Sequence, residues 1–423
     1  MNESFPYKPG SVVAALDVGS SKIACFIARI SNEEGDMEVV GVGHQSSKGI
    51  KNGSVIDLNK AEDAIRQTVH AAESMAAKTM KGYPLRDIIL SVPSVHTHSH
   101  AVDVDVQILG QEVTDNDIKR ALAKAQTQIN DSERELIHTI PVGYTLDNKP
   151  GIQDPKGMVG QQLGVEIHMV DGELGALKNL ATCAERSHLD ISGLCCAPYA
   201  AGLSNLVEDE MELGCTIIDM GGGTTSFAVF QQNRLLYAGA IPVGGQNVTS
   251  DIAQGLATPL IEAERIKTLY GSAIAASRDE HEFVDVPPLG ESDNNQINHV
   301  PRSLLVNIIQ ARLEETFEMV AQNLKDSGLA ESVGRRLVLT GGASLLPGTA
   351  DLAQRILNKQ VRLGQPISFP GLPDATSGPA FSVATGLLHY ISKRSHEMPT
   401  EIAMHAERGS LWTRVRHWIK ENW

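Results

Sequence analysis

Aromatic residues are scarce in this sequence, since Phe, Trp and Tyr together make up 4% of its 423 residues. Only five residues are cysteine, and no two of them stand in a CxxC spacing. Such usage gives no indication of a zinc site or a disulfide framework, and we expect core thiols in a reducing compartment. No apolar run is long enough to span a bilayer, and residues 1–10 lack the apolar core of a secretory signal. These absences predict a cytoplasmic protein.

Basic residues are outnumbered, because 36 Lys and Arg stand against 51 Asp and Glu for a formal net charge of −15. General nucleic-acid binding needs a basic face, so we expect no nucleic-acid partner. The apolar fraction of 42% is that of a soluble globular protein. The chain is too long for one ordinary hydrophobic core, which predicts two or more domains.

The most informative stretch is residues 215–226, where a short apolar run ends at Asp219 and the glycines Gly221, Gly222 and Gly223 follow with Thr224. The apolar run predicts a buried strand. Glycines allow positive φ, so successive backbone N–H groups can point at one anion. Asp219 is placed to hold a hydrated Mg²⁺ beside that anion. Taken alone, the stretch is also consistent with a tight hairpin turn that binds nothing.

A second stretch, residues 12–23, repeats this pattern: an apolar run, then Asp17, Gly19, Ser20 and Ser21. Residues typical of strands resume directly after both turns, so each turn is predicted to join two strands of a hairpin. P-loop and Rossmann sites are excluded, because a helix follows the glycines in those sites. Two similar half-sites far apart in the sequence predict a duplicated domain with a phosphate held between its halves.

Residues 88–169 differ from their surroundings and predict a small α/β insert. Residues 101–108 alternate strictly between apolar and polar, which is typical of a half-exposed sheet. His96, His98 and His100 alternate along the neighbouring segment in a way that would suit a metal ion. No acid or cysteine stands beside them in the sequence, which favours surface histidines.

Three motifs resemble those of the actin/Hsp70/sugar-kinase superfamily. Residues 17–22 resemble its first phosphate loop, residues 219–225 its second, and residues 339–343 its adenosine motif. Within the superfamily the sequence most resembles FtsA, the family of bacterial division actins. Further similarity to that family lies at residues 249–253, 262–267, 301–304 and 384–390.

The resemblance implies an α/β protein with the actin-like two-lobed ATPase fold, built on duplicated ribonuclease-H-like cores. In this family a subdomain called 1C replaces the usual 1B, and the insert falls where 1C belongs. The implied boundaries are a flexible leader at 1–11, subdomain 1A at 12–87, 170–197 and 372–392, subdomain 1C at 88–169, subdomain 2A at 198–245 and 332–371, subdomain 2B at 246–331, a linker at 393–408 and a tail at 409–423.

The resemblance also implies that ATP and Mg²⁺ lie in the cleft between the lobes, with Asp17 and Asp219 acting on the metal through its waters. The other implied cofactor-binding residues are Gly19, Ser20, Ser21, Lys22, Gly221, Gly222, Gly223, Thr224, Glu264, Lys267, Gly341, Gly342 and Ala343. A surface lysine is the alternative for Lys22, and an ordinary ion pair one helical turn apart is the alternative for Glu264 and Lys267. No residue is an evident catalytic group for positioning an attacking water. We therefore expect at most a slow ATPase, in which nucleotide acts as a conformational and assembly ligand.

All three tryptophans lie within residues 412–423. On a helical wheel the apolar residues of this segment form one arc with basic residues beside it: Leu411, Trp412, Val415, Trp418, Ile419 and Trp423 on the arc, and Arg414, Arg416 and Lys420 beside it. This pattern is typical of a helix that lies in the plane of an anionic membrane. A helix packed on its own domain is the alternative, but the polar segment 393–410 separates the tail from the body and favours the membrane.

The resemblance implies four partners: the C-terminal peptide of FtsZ, other copies of this chain in filaments, later division proteins through the insert, and the membrane surface. Arg312 matches the position from which the family grips the acidic FtsZ peptide, and a solvated arginine is the alternative there. The implied function is to anchor FtsZ filaments to the cytoplasmic face of the inner membrane at the division septum.

Three other members of the superfamily remain as alternatives. An actin-fold kinase would need a general-base Asp and a substrate pocket, and the amphipathic tail argues against it. A PilM-like scaffold of a pilus machine would share the insert but lack the tryptophan tail. An Hsp70-like chaperone would need a substrate-binding domain after the folded body.

Overall fold

A computed structural model describes residues 7–110, 112–128, 131–290, 297–329 and 334–397, with side chains up to Ser392. The strands in these residues are β1 (Val12–Val18), β2 (Lys22–Ile30), β3 (Met37–Ser46), β4 (Ile50–Lys51), β5 (Ser54–Val55), β6 (Asp87–Val92), β7 (Thr97–Gln107), β8 (Arg134–Leu146), β9 (Lys149–Ile152), β10 (Gln162–Glu173), β11 (Asp190–Cys196), β12 (Cys215–Met220), β13 (Thr225–Gln231), β14 (Arg234–Ile241), β15 (Phe283–Val286), β16 (Asn298–Pro301), β17 (Arg336–Thr340) and β18 (Gln360–Leu363). The helices are α1 (Leu58–Met80), α2 (Asp115–Gln128), α3 (Leu174–Arg186), α4 (Ala197–Asn205), α5 (Glu208–Leu213), α6 (Gly245–Gly255), α7 (Leu260–Tyr270), α8 (Arg302–Asp326), α9 (Thr349–Leu357) and α10 (Ser382–Glu397).

Two five-stranded sheets of the same topology form the two lobes. The first has the order β3-β2-β1-β6-β11 and the second the order β14-β13-β12-β17-β18. In both, the first three strands run antiparallel to one another and the last three run parallel. The central strands β1 and β12 are apolar along nearly their whole length, as expected of strands with both faces covered. The predicted duplication is confirmed.

Helices α4 and α10 lie between the two sheets and join them into one core. The largest apolar cluster takes residues from both sheets, among them Phe26 and Phe230, together with residues of both helices. The helices approach so closely that a Cβ on Gly386 would stand 1.8 Å from the carbonyl oxygen of Ala200. Only glycine fits there, so the spacing of the two lobes depends on this contact.

The insert is a four-stranded antiparallel sheet of order β7-β10-β8-β9 with α2 packed on one face. Its predicted start at residue 88 is wrong, because β6 belongs to the first lobe and pairs in parallel with β1, Ile89 beside Ala15. The predicted end at 169 is also too early, since β10 continues to Glu173 and leads directly into α3.

Two predicted end segments differ from expectation within the described residues. The leader is tied to the first lobe from residue 7 onward, because Tyr7 packs on the core and the Gly10 N–H donates to the Ile30 carbonyl. At the other end α10 continues to Glu397, inside the predicted linker, because no helix breaker precedes Pro399. No helix in the described part of the chain is both long enough and apolar enough to cross a membrane.

Candidate functional site

A cavity of about 630 Å³ opens between the lobes where the two predicted turns meet. Each turn joins the strands of an antiparallel hairpin, and each is closed by the same bond: Gly19 N–H to the Lys22 carbonyl at 3.0 Å, and Gly221 N–H to the Thr224 carbonyl at 2.9 Å. The predicted hairpins are therefore confirmed, and their shared geometry follows from their shared sequence pattern.

The two turns, residues 19–22 and 221–224, contact each other at the base of the cavity. A Cβ on Gly222 would stand 2.6 Å from Cβ of Ser21, and a Cβ on Gly223 would stand 2.7 Å from Oγ of Ser20. Glycine is required at both positions by this close approach. Gly223 does not line the cavity, whereas the other predicted cofactor-binding residues do.

Two carboxyl groups, Asp17 and Asp219, stand in the cavity wall. Burial, aided by the charge of Asp17 and opposed by that of Lys22, raises the pKa of Asp219 to about 7. Burial also raises the pKa of Asp17, against the Lys22 charge and a 2.9 Å hydrogen bond from Ser91 Oγ. Ionising two buried acids side by side is costly, because their negative charges repel each other. A hydrated divalent cation would stabilise the ionised form of both carboxylates.

Lys22 is not a surface lysine. Its Nζ donates to the Ala380 carbonyl and lies 3.6 Å from the centre of the Phe381 ring. Burial lowers the pKa of Lys22, and the charges of Asp17 and Asp219 oppose that shift. The ammonium is thus held against the cavity wall, where it compensates part of the charge of the two acids.

The opposite end of the cavity is formed by α7 and the turn after β17. Lys267 Nζ pairs with Glu264 at 2.7 Å and also donates to Thr249 Oγ1 at 2.8 Å. Glu264 and Lys267 therefore form the ion pair that was the alternative, and they also line the cavity. Gly341 has φ +86°, and a Cβ there would stand 2.3 Å from Oδ1 of Asp219. A Cβ on Gly342, in contrast, would make only an ordinary contact, 3.8 Å from Cβ of Ala380.

Sequence reasoning missed several groups around the cavity. Ser91 accepts from the Val18 N–H at 3.1 Å and so ties β6 to the first turn. Gln246 reaches across the cleft, with its Nε2 3.4 Å from the Ser20 carbonyl oxygen. A hydroxyl at the carboxyl end of an apolar strand was the available signal for Ser91. No local pattern marks Gln246, because its position depends on how the two lobes meet.

Arg312 lies outside this cavity on α8. The alternative interpretation, a solvated arginine without a partner, is wrong, because its guanidinium forms ion pairs. Its guanidinium pairs with Asp251, with Nη2–Oδ1 at 3.1 Å, and with Glu315 one turn along the helix. Its side chain is 26% exposed. The predicted membrane-binding residues all lie outside the described residues: Leu411, Trp412, Arg414, Val415, Arg416, Trp418, Ile419, Lys420 and Trp423.

Comparison with known proteins gives matches to two family models. Residues 216–386 match the model described as cell division protein FtsA, and residues 94–171 match the model described as the SHS2 domain inserted in FtsA. The cell division protein FtsA of Rhizobium meliloti (strain 1021) is 42% identical over 429 residues, which cover 99% of this chain and 96% of the relative. That of Escherichia coli (strain K12) is 31% identical over 420 residues, covering 97% and 98%.

Solved structures share the fold at low sequence identity. The PilM-PilN type IV pilus biogenesis complex contains a chain that matches with a TM-score of 0.62 and 16% identity, covering 90% of this chain and 98% of the other. MreB5 of Spiroplasma citri bound to ADP matches with a TM-score of 0.55 and 13% identity, covering 92% and 100%. The predicted actin-like fold is confirmed.

Proposed function

The chain belongs to the family of the cell division protein FtsA, and on that premise we propose that it binds ATP with Mg²⁺ in the cleft between its lobes. The observation that carries this proposal is the meeting of the two glycine turns, with an acid at the end of each leading strand. The backbone N–H groups and hydroxyls of such turns suit phosphates, and the acids suit a hydrated cation.

Each part of the cavity has a separate role in this proposal. Asp17 and Asp219 hold Mg²⁺ through its waters, which removes the cost of ionising two neighbouring acids. The turn residues from Gly19 to Lys22 and from Gly221 to Thr224 hold the phosphates. Glu264 and Lys267 face the ribose and base, and residues 341–343 allow close approach of adenosine to the backbone. The bound ion supplies charge compensation for the phosphates.

Gly342→Glu tests the adenosine end of the cavity. A Cβ fits at Gly342 without a clash, so we expect the fold to be retained, but the new side chain places a carboxylate where the nucleotide is proposed to lie. We expect affinity for a fluorescent ATP analogue to fall at least tenfold. Gly110→Glu, in an open loop of the insert, is the matched control and should bind as the wild type does. Equal binding by the two variants would contradict the proposed location.

Turnover of ATP is proposed to be slow, with nucleotide acting mainly on conformation and assembly. No described side chain in the cavity is an evident general base for an attacking water, because Asp17 and Asp219 face the proposed cation and Glu264 pairs with Lys267. The two lobes are joined through the α4–α10 contact and the touching turns. A ligand that bridges both turns is therefore expected to fix the relative position of the lobes.

We further propose that the chain forms filaments and attaches FtsZ to the cytoplasmic face of the inner membrane at the septum, with later division proteins binding the insert. The support is family membership together with the amphipathic pattern of residues 411–423. One tail binds a membrane reversibly, and many tails on one filament bind it far more firmly.

Co-sedimentation with anionic vesicles and FtsZ tests the membrane role. The full chain should carry FtsZ into the vesicle pellet, and a variant lacking residues 409–423 should remain in the supernatant with an unchanged circular dichroism spectrum. Retention of the truncated variant on vesicles would refute the tail as the anchor. Vesicles of neutral lipid serve as the control for charge.

The acidic C-terminal peptide of FtsZ is proposed to bind at Arg312. Because Asp251 and Glu315 already pair with this guanidinium, the peptide must displace them. Removing an internal competitor should therefore strengthen binding: we expect Asp251→Asn to raise peptide affinity and Arg312→Ala to lower it. Glu318→Gln, at an exposed acid on the same helix, controls for net charge. Equal gains in Asp251→Asn and Glu318→Gln would show a general charge effect and refute a specific site.

A further inference from the structure

A second cluster of polar side chains lies on the insert, away from the nucleotide cavity. His98 and His100 stand two residues apart on β7, so their side chains lie on the same face of the sheet. Asp171 on β10 lies directly opposite His98 in the antiparallel register and shares that face. The sequence had no acid next to these histidines, but the fold brings one to them.

The donor atoms of these three residues are close enough to share one ion. His100 Nε2 and Asp171 Oδ2 are 2.8 Å apart, and one donor atom from each of the three residues lies within 4.8 Å of the others. Bond lengths of about 2.0–2.2 Å in a tetrahedral zinc site place neighbouring donors roughly 3.3 Å apart. The His98 side chain is exposed and so has room to rotate toward the other two donors.

The Asp171 carboxylate is held in place by Arg134, on the side away from the histidines. Its side chain is only 2% exposed, and Arg134 Nε donates to its Oδ1 at 2.5 Å. Arg134 also donates to the His96 carbonyl at 3.2 Å, which fixes the guanidinium. This contact fixes the position of the carboxylate and leaves Oδ2 directed at the histidines, the kind of support that orients ligands in metal sites.

We propose that His98, His100 and Asp171 form a binding site for a zinc-type divalent transition metal ion. Imidazole nitrogen and carboxylate oxygen suit Zn²⁺ and Co²⁺, and three protein ligands leave a fourth position for water or for a ligand from a partner. Other ions with a preference for nitrogen ligands, such as Ni²⁺, compete for such a site.

The place of the site in the fold gives the ion a structural consequence. Ser99, between the two histidines, docks the insert onto the second lobe: its Oγ donates to the Ala238 carbonyl and accepts from the Ala238 N–H, both at 2.9 Å. An ion that bridges β7 and β10 fixes the strand at this contact. Metal binding then stiffens the attachment of the insert to the second lobe.

Equilibrium dialysis with Zn²⁺ tests the proposal on the full chain, free of any histidine tag and with excess Mg²⁺ present to occupy sites made only of carboxylates. We expect one Zn²⁺ per chain. His98→Gln and His100→Gln should each weaken binding at least about tenfold, since even the loss of a group behind a ligand costs about 10–100-fold. His98→Gln is the safer variant, because the side chain is exposed and its loss leaves the fold intact.

The double variant His70→Gln/His281→Gln removes two exposed histidines elsewhere in the chain and should bind Zn²⁺ like the wild type. Co²⁺ gives a second measurement, because a four-coordinate site produces visible absorption bands that the His98→Gln variant should lose. Absence of saturable binding to the wild type would overturn the proposal. The double variant His98→Gln/His100→Gln should bind less Zn²⁺ than this control. Equal Zn²⁺ binding by the two double variants would overturn the proposal as well.

Discussion

Replacement of Asp219 by Asn tests the electrostatics of the cavity, because Asn keeps the shape of the side chain and removes its charge. The pKa of Asp219 is raised from 3.8 to about 7 in the folded chain. Between these two values the unfolded chain has lost the proton and the folded chain still holds it. The stability of the nucleotide-free protein therefore falls as the pH rises to 7, and this loss stops above that pH.

The magnitude follows from the size of the shift. One pKa unit corresponds to about 1.4 kcal/mol, so a shift of roughly three units sets an upper limit of about 4 kcal/mol. Asp219 is half-buried beside a cavity that admits water, which screens its charge. We expect the Asn variant to exceed the wild type by about 1–3 kcal/mol at pH 8, with the difference growing between pH 6 and 7 and constant above pH 7.5.

Urea unfolding at several pH values, without nucleotide and with EDTA, measures this difference. Circular dichroism is the suitable probe, because all three tryptophans lie within residues 412–423, outside the described residues. Asp209→Asn, at an exposed acid, should show a small difference that does not change with pH. If Asp219→Asn is no more stable than the wild type at pH 8, or its advantage is the same at pH 6 and 8, the burial argument is refuted.

Two further predictions concern stability, and urea unfolding checks both. Gly386→Ala should cost about 3 kcal/mol or more, because its Cβ would overlap the Ala200 carbonyl, whereas Gly378→Ala, with no atom within 4 Å of its Cβ, should stay within about 0.5 kcal/mol of the wild type. Arg362→Leu should cost about 3–5 kcal/mol, because it leaves the carboxylate of Glu210, 5% exposed, buried without its partner; a smaller loss would mean that water reaches Glu210.

The duplicated core was predictable because its signal is local. An apolar strand, an acid, glycines and a second strand lie within a dozen residues, so the hairpin and its repeat are visible without knowledge of the fold. The insert boundary was not predictable in this way. Strand β6 stands directly before the insert in the sequence, and its pairing with β1, far earlier in the chain, assigns it to the first lobe.

In the candidate site, too, local features were predictable and contacts between distant segments were not. Residues of the two turns were predicted and do line the cavity, with Gly223 displaced to the contact between the turns. Contacts between distant segments were missed: Lys22 on Phe381, and Arg312 on Asp251. Each of these depends on the packing of separate elements, for which composition and spacing carry no information.

The five cysteines have a practical consequence for measuring motion in this protein. All five are buried thiols, and burial raises the pKa of Cys25 and Cys215 to about 12 and that of Cys183 to about 11. Maleimide reagents attack the thiolate, so burial protects all five native thiols and the raised pKa further protects Cys25, Cys183 and Cys215 at neutral pH. A single cysteine placed at Leu109, whose side chain is 80% exposed on the insert, can then carry a fluorophore on an otherwise unmodified chain. The natural sequence is thus already a suitable background for following the insert by fluorescence while nucleotide or metal is added.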